Sequence, residues 1–162
     1  MEQISNTLRL YDADAYATEF DAVVLSCEKL TDKKHTTYAV ILDQTLFFPE
    51  EGGQSPDKGI LNESNVLDVQ INKDIITHYT DAPLTVGDKV HGVINWQHRF
   101  FNMQQHSGEH IFSGIVHERF GFDNVGFHLS DQIVTMDFNG VLSQEDIDEV
   151  EWSVNEVISK NI

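Results

Sequence analysis

The chain changes texture at Trp96. From there to Phe120 it holds no proline, and Gly108 and Gly114 are its only glycines. A stretch this long without a breaker can run as one helix. Asn95 suits its N-cap, and Gly121 suits its C-terminal stop. On a helical wheel Arg99, Met103, His106, His110, Ser113 and His117 gather on one side. Phe100, Gln104, Gly108, Ile111 and Ile115 gather toward another.

Everything before Trp96 reads differently. Thr18–Lys29, Thr36–Leu42, Thr45–Phe48, Asn65–Ile71, Ile75–Tyr79 and Lys89–Asn95 are short runs rich in β-branched and aromatic residues. Turn residues separate them, at 31–34, 51–53, 56–59, 72–74 and 86–88. Many short strands with regular punctuation predict a small antiparallel barrel. The expected organisation is a β-barrel domain over residues 1–94 and a second domain opening over 95–162.

After the long helix, a loop at 121–126 leads to a strand pair near Phe127–Leu129 and Ile133–Phe138. Ser143 with Asp146 is a weak variant of the capping box. Ile147, Val150, Val154 and Ile158 keep helical spacing behind it. No cap, glycine or proline is evident before Ile162, so the expectation is that this is the N-terminal part of a longer protein.

Composition narrows the function classes. The start lacks a basic segment followed by an apolar one, so it is not a signal peptide. No apolar run is long enough for a transmembrane helix. Cys27 is the only cysteine, which rules out an internal disulfide framework and fits a reducing cytoplasm. Net charge is −17, with Glu145, Asp146, Asp148, Glu149, Glu151 and Glu156 close together. Such a run reads as a solvated acidic helix face. The balance argues against non-specific nucleic-acid binding, yet allows a narrow site for the end of an RNA.

Chemistry concentrates in two places. In His106-Ser-Gly-Glu-His110 the histidines lie one helical turn apart, so one metal ion can take both. A pair of solvated or core histidines would show the same spacing. His117 is about 10 Å further along the axis by helix rise, too far to share the ion. The same residues spell His-x-x-Glu-His, the inverted zinc-peptidase pattern, in which Glu109 would be the general base. A third acidic ligand would then be needed, and nothing singles out Glu149, Glu151 or Glu156.

The second place is DQTLFFPEEGGQSPDKG, residues 43–59. A Gly-Gly pair alone needs no function beyond a turn. Here small polar residues flank it beside two phenylalanines, as in a tight polar pocket where backbone approaches a small ligand.

Together with QQHSGEHIF, this stretch resembles the editing domain of alanyl-tRNA synthetase and its free-standing relatives, the alanyl-tRNA editing proteins. WQHRFFNMQQHSGEHIFSGIV and IVTMDFNG are similar to that family's helix and following strand. The resemblance runs from about Thr36 to Asn161. It implies an α+β fold, a small antiparallel barrel followed by an α/β editing domain that is incomplete here. It implies a zinc site using His106 and His110 with a later Cys-x-x-x-His pair. That second pair is not in this sequence, and Cys27 cannot replace it by motif.

The implied activity is hydrolysis of serine or glycine wrongly esterified to alanine tRNA. One methylene or hydroxyl discriminates by only about 1–3 kcal/mol in a synthetic site, so a second hydrolytic site is useful. The implied partner is therefore mischarged alanine tRNA. Thr45 would recognise the serine hydroxyl. Gly52 and Gly53 would admit the substrate, and Gln54 would supply amide hydrogen bonds, in a cleft shared with His106 and His110. No residue is assigned as catalytic. Arg99 and His98 are candidates for RNA phosphate, and His128 for a place near the site. Phe47 and Phe48 read as core. The alternatives are an RNA-binding or adaptor remnant without catalysis, and the His-x-x-Glu-His metallopeptidase.

Overall fold

The computed structural model describes residues 6–31, 36–130 and 133–161. The expected turn at 31–34 lies mostly outside them. Two compact units emerge: residues 1–51 with 55–99, and residues 52–54 with 100–162.

The first unit is a closed barrel. Its strands are β2 (Glu19–Thr31), β3 (Thr36–Leu42), β5 (Gly59–Leu61), β6 (Ser64–Asn72), β7 (Ile75–Thr80) and β8 (Lys89–Ile94). They run antiparallel in the order β2-β3-β7-β6-β5-β8, which leaves no open edge. A short β1 (Leu8–Arg9) pairs in parallel with β4 (Gln44–Thr45). Alternation puts Phe20, Ala22 and Val24 of β2 inward, and Val40 and Leu42 of β3. Phe47, Leu61, Val69 and Ile76 complete the apolar cluster of the interior.

Two details differ from the sequence reading. The expected strand at Thr45–Phe48 is strand only as far as Thr45, because the next residues turn toward local partners. The Phe48 amide donates to Asp57 Oδ2 at 2.7 Å. Strand β5 was not anticipated. It has three residues and begins with a glycine, so it carries no alternation to read. Gly59 is needed there, since a Cβ would sit 2.1 Å from the Val93 carbonyl oxygen.

Helix α1 spans Trp96–Phe120, and its first turn, through Arg99, belongs to the barrel unit. Asn95 caps it, its Oδ1 accepting from the His98 amide at 3.2 Å. Gly121 ends it at φ +69°.

The second unit contains the rest of α1, an antiparallel hairpin of β9 (Asn124–Leu129) and β10 (Val134–Phe138), and α2 (Gln144–Lys160). Ser143 and Asp146 form a full capping box. Contrary to expectation, α2 has a C-cap. Asn161 adopts the left-handed conformation at φ 51°, and its amide bonds to the Ile158 carbonyl. Arg119 joins the helices, donating to Ser153 Oγ at 2.7 Å. Among the described residues, no helix is long and apolar enough to cross a membrane.

Candidate metal centre

The buried line on α1 in the second unit is mostly polar. Asn102, Glu109 and Val116 are buried, seven residues apart, while His110 and His117 are exposed. Two turns of helix bring such positions back to nearly one face. The sequence spacing groups Arg99 with Met103, His106, His110, Ser113 and His117, whereas the buried positions after Arg99 are Asn102, Glu109 and Val116.

His106 and His110 share a side, as the spacing requires. Their rings stack at 4.9 Å between centroids with 20° between planes. The ring of Phe127 lies 5.3 Å from that of His106. His128, the next residue on β9, is exposed. Strand alternation thus puts Phe127, not His128, beside the histidines.

Gly52, Gly53 and Gln54 belong to this same unit. Both glycines have positive φ, +60° and +83°. At Gly53 a Cβ would lie 2.2 Å from the Phe127 carbonyl oxygen, so only glycine permits the approach. The Gly53 carbonyl accepts from the Leu129 amide at 2.8 Å, and Gln54 bridges Leu129 in parallel. So anchored, Gln54 is buried, and its Oε1 lies 2.8 Å from His106 Nδ1. An amide carbonyl only accepts, so Nδ1 carries the proton and Nε2 keeps the lone pair of the neutral ring.

Glu109 is buried with its carboxylate engaged. Oε1 accepts from Ser113 Oγ at 2.5 Å and from Asn124 Nδ2 at 2.7 Å. Oε2 lies 3.3 Å from His110 Nδ1. Burial holds the His106 pKa below the usual histidine value, and the neighbouring His110 charge adds to this; Glu109 opposes it. The result favours the neutral imidazole, the form that binds metal.

Potential ligand atoms of His106, Glu109 and His110 all lie within 4.8 Å of one another. Two imidazoles on one helix face are ordinary zinc donors, so the histidine pair fits the group that the resemblance implies as half of its ligand set.

Thr45 lies in the first unit and is fully buried. Its Oγ accepts from the Phe47 amide at 3.0 Å and lies 2.8 Å from His78 Nε2. His78, which the sequence reading passed over, is also fully buried. Its Nδ1 faces the Val40 carbonyl at 3.3 Å. Burial pulls its pKa down to about 4, so it is neutral near pH 7. Nδ1–H donates to Val40, and Nε2 accepts the Thr45 proton. Nothing in a strand's residue pattern marks such a pair. A lone His between β-favouring residues reads as an outward position.

Arg99 is not placed for phosphate. It is buried on Asp57, with Nε 2.9 Å from both carboxylate oxygens and Nη2 also on Oδ2. It donates further to the Ala15 and Leu46 carbonyls at 3.1 and 2.6 Å. A guanidinium with its donors spent on protein holds the fold. His98 likewise has Nε2 at 2.9 Å from the Pro56 carbonyl. Phe47 is core, and Phe48 packs on Tyr11 with ring centroids 5.2 Å apart.

Comparison with known proteins places this site in context. The family model of class II (A) tRNA synthetases matches residues 3–98, more than half of the chain, and the chain belongs to that family. Over nearly the whole chain the likeness is to alanyl-tRNA editing proteins. Aarsd1 of Bos taurus is 35% identical over 156 residues, covering 90% of this chain and 35% of that protein. AlaX-L of Pyrococcus horikoshii is 30% identical, covering 95% and 39%. AlaX-M of Methanosarcina barkeri is 34% identical, covering 95% and 65%. The resemblance carried by the two motifs is thus borne out. The chain spans well under half the length of the first two relatives.

Proposed function

We propose that this chain carries the substrate-facing half of a zinc-dependent editing site, which hydrolyses serine or glycine esterified to alanine tRNA. The observation that carries the reading is the grouping of His106, His110 and the Gly52–Gln54 segment within one compact unit. The names of the similar proteins support the same reading. The second unit then corresponds to the first part of an editing domain, and the reaction belongs to translation fidelity in the cytoplasm.

In this proposal His106 and His110 would hold zinc through Nε2. When bound, the ion would polarise or position water or the ester. Gly52 has open space around its missing Cβ, which leaves room for the terminal ribose or the aminoacyl backbone. In the proposed role of Thr45, its proton is committed to His78 and one lone pair to Phe47. What it could offer a ligand is one acceptor site, which would suit the donating hydroxyl of serine. Two imidazoles leave an ion mostly water-coordinated, so zinc held by this chain alone should be weak. The His-x-x-Glu-His peptidase reading would need Glu109 free to act as base, and Ser113 and Asn124 occupy it.

The test is deacylation of seryl- and glycyl-tRNA(Ala). It compares this chain with a longer protein that adds a Cys-x-x-x-His pair. The longer protein should be active, and H106A or H110A in it should remove most activity. Full activity in this chain would refute the need for further ligands. An inactive but zinc-loaded longer protein would refute the editing function.

A further inference from the structure

The Gly52-Gly53-Gln54 segment was expected to contact substrate, yet the side chain of Gln54 already has a protein partner. The geometry points to Gln54 and Glu109 as positioning residues, which together set both imidazoles of the metal pair to the same tautomer. This rests on the reading of His106 and His110 as metal ligands and goes beyond it.

The steps are local. A neutral imidazole in water prefers its proton on Nε2, which would block the nitrogen farther from the backbone. At His106 the Gln54 carbonyl, 2.8 Å from Nδ1, reverses that preference. At His110 the Glu109 carboxylate oxygen lies 3.3 Å from Nδ1, an anion close enough to favour the proton on that nitrogen through its charge. Each ring then keeps its Nε2 lone pair for a ligand. An outer hydrogen bond such as that to Gln54 fixes ring orientation and raises ligand basicity.

The segment is built for this. A left-handed Gly52 and a Gly53 too close to Phe127 for any Cβ bring Gln54 against β9. Ser113 and Asn124 fix Glu109 in turn through its other oxygen, separating the carboxylate's two tasks. Glu109 thereby serves as the carboxylate behind a ligand, not as a third ligand or a general base.

Two readouts test this on the chain as it is, without turnover. Long-range 1H–15N spectra report which nitrogen of a neutral imidazole carries the proton. Wild type should show Nδ1–H at His106 and His110, and Gln54→Leu should return His106 to Nε2–H. Zinc titrations should shift both Nε2 resonances. Gln54→Leu should weaken zinc by roughly 10–100-fold, the usual cost of losing such a partner. Gln54→Glu keeps an acceptor and should restore most of the affinity. Glu109→Gln can keep a carbonyl toward His110 and should cost less than Glu109→Leu.

An Nε2–H tautomer at His106 in wild type would overturn the inference. So would zinc affinity unchanged in Gln54→Leu while His106→Ala abolishes binding, and that result leaves the metal reading standing. Zinc binding that survives both His106→Ala and His110→Ala would overturn the metal reading and this inference with it.

Discussion

The barrel unit and the second unit bury different things. Fourteen of the buried hydrophobic residues lie in the barrel, among them Val40, Leu42, Phe47, Leu61, Val69 and Ile76. Among the described residues the second unit contributes three, Val116, Leu129 and Val150. Its interior instead takes in Gln54, Asn102, Glu109 and Ser153. Apolar burial is non-directional and stabilises by area, at about 25 cal/mol per Å². Buried polar groups stabilise little in net terms, but each demands a partner in one geometry. The barrel is therefore organised for stability. In the second unit polar residues outnumber apolar ones among those buried, and their side chains are held in fixed orientations that the proposed metal centre would use.

The barrel unit buries polar groups too, among them Thr45, Asp57, His78 and Arg99, and loss of Asp57 should give the largest effect. Asp57 is fully buried and holds Arg99 while also accepting from the Phe48 amide. Asp57→Ala strands a buried guanidinium and should destabilise the barrel by about 3–5 kcal/mol in denaturant unfolding. A cost under about 1 kcal/mol would mean that the clamp is dispensable and the apolar interior suffices.

His78 sharpens the comparison through pH. Its folded pKa is depressed to about 4, below the ordinary 6.5. The unfolded chain takes up a proton that the fold refuses, so this contribution is complete above about pH 6.5 and is lost as pH falls toward 4. The loss should approach about 3 kcal/mol, since each tenfold drop in proton affinity is worth about 1.4 kcal/mol. His78→Gln should flatten that part of the stability profile. A wild-type profile already flat from pH 6.5 to 4 would contradict the buried neutral assignment.

In the second unit, Gly53→Ala combines a positive φ with a backbone clash. It should cost at least about 2 kcal/mol there and detach Gln54 from His106. Hydrogen exchange should show loosening near Leu129 and His106, with barrel strands unchanged. Gly52→Ala, with open space at its Cβ, should cost less. Equal costs would mean that strain in φ alone decides.

Much of this was legible wherever the signal is local. Asn95 and Gly121 bracket α1 because capping depends on immediate neighbours, and Ser143 with Asp146 opens α2 for the same reason. The His106–His110 alignment follows from helix pitch alone. The Asn161 cap was also local, but asparagine's tolerance of the left-handed region went unused. Strand β5 was hidden because three residues cannot display a period. The environments of Arg99, His78 and Gln54 were hidden because their side-chain partners stand far off in the chain. Leu46 lies 53 residues from Arg99, Thr45 lies 33 from His78, and His106 lies 52 from Gln54. Residue type shows that a polar group needs a partner. Only the fold shows whether a substrate, a phosphate or the protein itself supplies it.

Zinc-dependent hydrogen exchange, followed residue by residue, tests the central claim most directly. With free zinc at about ten times its dissociation constant, linkage predicts about tenfold slower exchange for amides whose opening releases the ion. The gain should be confined to the second unit, around Gly53, Gln54, His106, His110 and Leu129, and should vanish in His106→Ala. A uniform gain that includes the barrel strands, or a gain centred on other histidines such as His91 or His117, would contradict the assignment of the metal centre.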